Sequence, residues 1–505
     1  MTDMAVEHFD VLIVGAGLSG IGAAVHLHER CPGKTYAVLE GRASMGGTWD
    51  LFRYPGIRSD SDMHTLGYRF KPWTAAKAIA DGPSILDYVK QTAAEYDVDS
   101  HIRYNHLVKR ADWSSAEAAW TVEAERADTG ETVRLSCNFL YMCAGYYSYR
   151  QGHTPEFAGA AEFKGRIVHP QAWPEDLDYK GKTVVVIGSG ATAMTLIPSM
   201  AADAAHVTML QRSPTYVVSR PDKDALANRL RALLPEAWAY ALTRWKNVTL
   251  QQFMYRRTRA QPEKVKALLL DAVRKELGPD YDVETHFTPR YNPWDQRLCL
   301  VPNSDLFAAI RSGKASVVTD HIDRFTETGI RLKSGGELQA DIIVTATGLN
   351  LVVLGEMAFS VDGQPVDFGQ TWTYKGMMYS GVPNMVSTFG YINASWTLRA
   401  DLTSEYVCRL LNHMDRVGAR QVTPRLRPGD QAMPARPWID DFSAGYMQRV
   451  MPRFPKQGDR EPWINPQDFA RDKKMIRTGA IEDGVLAFEN PPAAAAPPPV
   501  LQAAE

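Results

Sequence analysis

Two glycine-rich turns recur in this 505-residue chain, and each stands where a dinucleotide could be held. The first is Gly15-Ala16-Gly17-Leu18-Ser19-Gly20, after the strand Phe9 to Val14, apolar throughout from Val11. The second is Gly188-Ser189-Gly190-Ala191-Thr192-Ala193, after Thr183 to Ile187. In such a turn the first glycine permits the bend and the second lets the backbone approach a pyrophosphate. The third position allows the helix to pack closely on the strand, and alanine is an accepted variant there. The pyrophosphate then rests on the helix N-terminus, where free amides and the helix dipole favour an anion. The ribose ends differ. Glu40 closes the second strand of the first unit, where a carboxylate accepts ribose hydroxyls. Gln211-Arg212 closes the equivalent strand of the second unit. An acid there would repel a 2′-phosphate, whereas a guanidinium pairs with it in bidentate fashion. The opposite ribose chemistries predict FAD in the first site and NADPH in the second, two redox cofactors face to face.

The elements that must position these turns point to an α/β fold of two doubly wound, Rossmann-like dinucleotide-binding domains. Phe9–Val14, a helix over Ile21–Glu29 and a strand over Tyr36–Leu39 form a βαβ start. The pattern restarts with strand Thr183–Ile187, helix Thr195–Ala202 and strand Val207–Leu210. From about Asp222 to Leu277 the spacing is helical, with many Arg, Lys, Trp and Tyr residues. No nucleotide fold requires that stretch, so it reads as an inserted helical subdomain. The expected organisation is an FAD-binding domain from residues 1–150 and 341–489, and an NADP-binding domain from 151–221 and 291–340. The helical insertion spans 222–290, and a disordered Pro/Ala tail spans 490–505.

Composition narrows the function classes. A net charge of −2 gives no push toward nucleic acid. The five cysteines, Cys31, Cys137, Cys143, Cys299 and Cys408, are odd in number and none forms a Cys-x-x-Cys pair. That argues against a disulfide scaffold, a metal site and a dithiol redox centre, and fits a reducing cytoplasm. The start, Met1 to Asp10, has no basic region like that of a secretory signal, and no uninterrupted apolar run reaches membrane-spanning length. The basic, aromatic insertion fits either a solvated face or peripheral contact with a membrane. Oligomeric state is open.

Between the turns, Phe163-x-Gly165-x-x-x-His169-x-x-x-Trp173-Pro174 resembles the fingerprint of the type I Baeyer-Villiger monooxygenases. Gly46-Gly47-Thr48-Trp49, then Tyr54-Pro55-Gly56 and Asp60, is similar to their second fingerprint. The resemblance covers essentially the whole chain up to the tail. Within the family the mycobacterial ethionamide monooxygenase branch is the most similar, through Met45–Met63, Ile187–Ser213 and Tyr291–Pro302. The resemblance implies insertion of one oxygen atom from O2 beside the carbonyl of a ketone, with sulfide or thioamide oxidation as a side activity.

It also assigns residues. Gly47, Thr48, Trp49 and Val108 join Gly15, Gly17, Ser19, Gly20 and Glu40 around FAD. Arg58 and Ser59 lie along the nicotinamide nucleotide with the second turn. Arg297 takes the position of the family's active-site arginine, where a fixed guanidinium stabilises a peroxide anion and the tetrahedral adduct it forms. Asp60 positions Arg297 and contacts the flavin side. Phe163, Gly165, His169 and Trp173 form a hinge between the nucleotide domains, with His169 not a general base. Read without the family, His169 and Trp173 would be packing residues. Gln296 departs from the lysine many members carry beside that arginine, which puts the geometry of nicotinamide sliding in question.

Three other readings compete. A flavin-containing monooxygenase acting only on nitrogen or sulfur has a similar fingerprint, but Trp173-Pro174 argues against it. A pyridine-nucleotide disulfide reductase needs a redox cysteine pair that is not spaced here. A flavin-binding sensor without turnover would not need Asp60 and Arg297.

Overall fold

Residues 6–440 and 442–491 are described in the computed structural model. Apart from Asn490 and Pro491, the expected Pro/Ala tail lies outside them. Strand β1 (Glu7–Val14), helix α1 (Leu18–Arg30) and strand β2 (Tyr36–Leu39) form the first βαβ unit. β1 runs parallel to β2 on one side and to Thr132–Met142 on the other. Its last four residues are buried, which explains the unbroken apolar run at Val11–Val14. His106–Ser114, Ala119–Arg126 and Thr132–Met142 form an antiparallel meander that extends the sheet. The chain returns much later to add Ala358–Val361 beside His106–Ser114, and Met385–Ser387 beside Thr132–Met142. The result is a nine-stranded sheet built from both ends of the chain.

The second unit repeats the plan. Strand β3 (Thr183–Ile187), helix α2 (Ala191–Met200) and strand β4 (His206–Gln211) belong to a five-stranded sheet. Its order is Ala315–Thr319, β4, β3, Ile342–Thr345, Arg166–Val168, all parallel. Helices α3 (Ala225–Leu233), α4 (Glu236–Ala260), α5 (Pro262–Leu277) and α6 (Val283–Phe287) fill the stretch read as an insertion. One boundary moves. Ile342–Thr345 pairs with β3 and with Arg166–Val168, so it belongs to the second unit and not to the FAD-binding unit expected from residue 341. A short β-branched strand ending in Thr-Gly suits either sheet, and only its pairing decides between them.

The two crossings between units lie side by side. Tyr147–Gly152 leaves the first sheet and Leu349–Leu351 returns, and they pair antiparallel, Gly152 opposite Leu349. Two broad cores flank them, one beneath α1 and Trp396–Val417, the other around β3 and α2.

The first core encloses a charge pair with almost no exposure. Arg399 and Asp472 are 1% and 0% exposed and lie 2.6 Å apart. The Tyr391 hydroxyl donates to Asp472 Oδ2 at 2.9 Å, and Arg399 also donates to the Lys375 carbonyl. Removing one partner strands the other charge in a dry interior. Arg399→Leu is therefore expected to destabilise the fold by about 3–5 kcal/mol, measured by chemical denaturation against Arg399→Leu/Asp472→Leu, which should recover part of the loss.

Candidate active site

The first turn is shaped by backbone contacts. Gly15 has φ +105°, and a Cβ there would lie 2.5 Å from the Cys143 carbonyl oxygen. A Cβ on Gly20 would lie 1.8 Å from the Gly15 carbonyl oxygen, so Gly20 serves the close packing of α1 on β1. Gly17, the N-cap of α1, stands back to back with Gly47; a Cβ on Gly47 would lie 3.0 Å from the Gly17 Cα. The two motifs, some thirty residues apart in sequence, thus make one side-chain-free wall. Glu40 is buried, and its carboxylate accepts from the Ala16 amide at 2.9 Å and the Arg42 amide at 3.0 Å. Burial raises its pKa, and those two amides pull the other way. Ser19 accepts a hydrogen bond from Trp396 Nε1 at 2.7 Å, and Thr48 Oγ1 meets the Tyr147 hydroxyl at 2.5 Å.

The second turn has the same build. Gly188, at φ +138°, approaches the Ala346 carbonyl, whereas Gly190, the N-cap of α2, has open space where a side chain would be. Ser189 Oγ is within 3.1 Å of the Ser213 carbonyl and 3.0 Å of Thr215 Oγ1. Ala193 is fully buried, as the packing position should be. Arg212 is exposed at the end of β4, and no ionic partner stands against it among the described residues. Gln211 departs from expectation. Its side chain is buried and Nε2 donates at 2.8 Å to both the His286 carbonyl and Thr319 Oγ1. Successive strand residues face opposite ways, so Gln211 fastens α6 to the sheet and of the two only Arg212 lines the cavity.

One cavity of about 1160 Å³ joins the two turns. Gly15, Gly17, Glu40, Gly47, Thr48, Trp49 and Val108 line one end, and Gly188–Thr192 and Arg212 the other. Side-chain-free walls, amides at two helix starts and a held carboxylate fit an adenine dinucleotide at each end. Two glycine turns facing one space fit a pair of dinucleotides meeting in the middle.

The middle holds the predicted catalytic pair. Arg297 donates to Asp60 Oδ2 from Nε at 3.1 Å and also from Nη2. Both side chains are about one-third exposed, at 38% and 34%, and both line the cavity. Asp60 raises the proton affinity of Arg297, so the guanidinium stays charged. Burial raises the pKa of Tyr146, and raises that of Tyr446 to about 12, while Arg297 pulls both down. Both therefore stay neutral beside the cation. Tyr146 stacks on Trp396 at 5.1 Å, and Phe389 packs on Trp396 at 5.6 Å, so an aromatic box adjoins the pair. Arg58 lines the cavity, but its guanidinium is held by Asp305 Oδ2 at 2.5 Å. Ser59, also lining it, donates to the Ser61 carbonyl at 2.7 Å.

The arginine loop is anchored from two directions. Arg259 of α4 bonds Asp295 Oδ1 at 2.6 Å, and the Ser443 amide donates to the Asp295 carbonyl at 2.8 Å. From the first unit, a Cβ on Gly56 would lie 1.8 Å from Ser199 Oγ, so the Tyr54–Gly56 loop rests directly on α2.

The Phe163–Trp173 segment lies outside the cavity lining. Phe163 packs in a small core with Phe325, and Gly165 passes close to the Asp341 carbonyl. Trp173 packs against the second core. His169 touches both crossings: a Cβ on Gly152 would lie 1.9 Å from its Cε1, and its Nε2 is 3.2 Å from the Gly348 carbonyl. Its Nδ1 accepts from the Gln171 amide at 3.1 Å, while Gln171 Nε2 donates to the Ser148 carbonyl at 2.8 Å. Both ring nitrogens are taken by backbone, in an arrangement that needs the neutral ring.

Burial lowers the His169 pKa. A depressed folded value means the contact contributes fully above the unfolded value of about 6.5 and is lost as pH falls below it. The thermal midpoint of wild type should therefore drop toward that of His169→Gln between neutral pH and mild acid. Parallel curves for the two proteins would remove His169 as the titrating contact.

Comparison with known proteins matches the geometry. The profile of the flavin-binding monooxygenase-like family fits residues 79–366, more than half the chain, and an NAD(P)-binding Rossmann-like domain fits residues 13–80. The FAD-containing monooxygenase EthA of Mycobacterium tuberculosis is 58% identical over 488 residues, covering 96% of this chain and 99% of the relative.

The chain belongs to the flavin-binding monooxygenase family.

EthA of Mycolicibacterium smegmatis is 56% identical over 483 residues, 95% of this chain and 97% of its own. A solved structure of an oxidised steroid monooxygenase bound to NADP superposes with a TM-score of 0.76 at 23% identity, covering 96% and 100% of the two chains. That likeness is one of fold. This flavin-binding monooxygenase thus joins the EthA group by sequence and shares the fold of the steroid enzyme.

The aromatic box was not legible beforehand. Tyr146, Tyr147 and Tyr149 stand just after Ala144-Gly145 at a strand end, a position that marks them as cavity residues. Tyr446 and Phe389 carry no such signal; only the fold brings them to Arg297.

Proposed function

We propose that the enzyme uses FAD and NADPH to carry out Baeyer-Villiger oxidation, turning a ketone into an ester or lactone, and that it also oxidises sulfides and thioamides. One oxygen atom of O2 enters the bond beside the carbonyl, the other leaves as water, and NADPH is oxidised. The bound flavin, once reduced, supplies the activation of oxygen. The protein contributes the rest. The observation that carries the reading is the Asp60–Arg297 pair, held in the cavity between the two glycine turns.

Asp60 fixes the guanidinium plane and keeps it charged. Arg297 offers its remaining N–H groups to oxygen bearing negative charge, and it cannot surrender its own proton. Trp396, Tyr146 and Phe389 give the carbonyl substrate an apolar bed and exclude water, which strengthens that charge stabilisation. His169 and Gln171, which tie the two crossings, act as positioning residues of a hinge. Arg58, already paired with Asp305, borders the nicotinamide and shapes that end without binding its phosphates. The five free, buried cysteines support a reducing cytoplasm as its place.

Arg212 selects the nucleotide. Arg212→Ala should raise KM for NADPH by about 10–100-fold and leave NADH almost unchanged, because a charged phosphate contact contributes roughly 1.5–3 kcal/mol. Steady-state kinetics with both nucleotides checks it, and an equal loss for both would separate Arg212 from the 2′-phosphate.

The function is tested by incubating wild type with NADPH, O2 and an aryl or aliphatic ketone. Ester formed in step with NADPH loss is expected. Hydrogen peroxide alone, with sulfoxide once a sulfide is added, would make it a monooxygenase of heteroatoms only.

A further inference from the structure

Large exposed hydrophobic side chains gather on the helical insertion. Of fourteen such residues among the described residues, ten lie between Leu226 and Leu268. On α4, Trp238, Leu242, Trp245 and Phe253 recur at spacings that keep them on one side of a helix. Trp238 and Trp245 are each 68% exposed. The other side of α4, with Ala239, Tyr240, Thr243 and Thr258, is buried against the protein. The helix therefore has a satisfied inner face and an apolar outer face with nothing upon it among the described residues.

The surroundings of that face are cationic. Residues 225–260 hold seven Arg and Lys against the single acid Glu236, a local charge of 7 − 1 = +6 in a chain whose total is −2. Some of this charge is answered within the protein: Arg244 by Asp401, Lys246 by Asp224, Arg256 by Asp468 and Arg259 by Asp295. Arg229 and Arg257 are exposed and have no acidic partner among the described residues.

We infer that the outer face of α4 docks on the surface of an anionic lipid bilayer, with Trp238, Trp245 and Phe253 entering the headgroup region and Arg229 and Arg257 meeting lipid phosphates. Tryptophan suits that zone because its ring is apolar and its N–H stays hydrated. A helix with apolar aromatics on one side and cations at its margins lies in the plane of an interface. No helix among the described residues is long and apolar enough to cross a membrane, so the contact is peripheral. Charge selects this occupant over a second copy of the chain, since a twofold contact would set like cations against each other. The docked helix also holds the Arg297 loop, through Arg259 and through Tyr255, which packs edge-on to Trp294 at 5.6 Å.

The test is co-sedimentation of the full-length holoenzyme with phosphatidylcholine vesicles and with mixed phosphatidylcholine–phosphatidylglycerol vesicles. Wild type should pellet with the mixed vesicles, less so at high salt, and little with phosphatidylcholine alone. Trp238→Ser/Trp245→Ser/Phe253→Ser should weaken that binding at least about tenfold, while flavin content and NADPH oxidation stay at wild-type levels and show that it has folded. Arg229→Glu/Arg257→Glu should remove the preference for the anionic lipid. Wild type left in the supernatant, or a triple variant that binds equally, overturns the proposal. A wild-type dimer that becomes monomeric in the triple variant without any lipid binding overturns it too, and gives the face to a second copy.

Discussion

Arg297→Ala should reduce its flavin with NADPH at close to the wild-type rate and yet release almost no ester. The side chain lies between the two turns and reaches Asp60, not the backbone that cradles either nucleotide. Its removal leaves Gly15, Gly17, Glu40 and the second turn as they are, so binding and hydride transfer persist. What goes is the fixed positive charge where negative charge develops on oxygen. Losing one such donor costs roughly 10²–10³ in rate, and a full guanidinium belongs at the upper end. Consumed NADPH should then appear as hydrogen peroxide. Rapid-mixing absorbance of flavin reduction, with ester and peroxide measured in parallel, separates the two halves of the reaction. Asp60→Ala should show the same pattern less severely, because the guanidinium would be misdirected and not absent. Wild-type ester yield from Arg297→Ala would remove the pair from the chemistry and leave it a structural ion pair.

Gly15→Val is expected to yield protein without flavin. The residue sits at φ +105°, where a β-branched side chain is strained, and its Cβ would lie 2.5 Å from the Cys143 carbonyl oxygen. That carbonyl cannot yield easily, because the Cys143 amide is bonded to the Val14 carbonyl at 2.8 Å at the close of two paired strands. The turn would open, and with it the amides of α1 that meet a pyrophosphate. Gly188→Val is the informative partner. It has the same conflict with the Ala346 carbonyl, but at the other turn. It should stay yellow and fail to be reduced by NADPH. Absorbance spectra of the two purified variants and anaerobic NADPH titration make the distinction. Flavin retained in Gly15→Val, or lost in Gly188→Val, would exchange or blur the two assignments.

What could be read in advance follows local rules. The glycine turns and the acid or arginine at a strand end are encoded within a few residues, and all of them line one cavity, whereas the helical insertion, legible from its spacing, contributes no lining residue. Asp60 and Arg297, 237 positions apart, were paired only through resemblance; no spacing rule links them, and the fold makes the contact. Gln211 shows the limit of motif reading. It stands beside Arg212 in the right segment, but strand alternation turns it inward. Ile342–Thr345 shows the limit of boundary reading, since a strand does not carry the name of its sheet. The aromatic box around Arg297 draws on Tyr146 and, more than two hundred positions later, on Phe389, Trp396 and Tyr446.

The paired crossings have an architectural consequence. Gly152 stands opposite Leu349, and the His153 amide donates to the Gly348 carbonyl at 3.0 Å. The whole second unit, with its helices, therefore leaves and re-enters the chain through adjacent backbone. Two antiparallel strands in that relation can be closed by a two-residue turn. The remaining sequence would still contain every strand of the nine-stranded sheet. In this sense the enzyme is a one-piece flavoprotein with a cassette spliced into a hairpin, and the splice point marks where halves from different relatives could be exchanged.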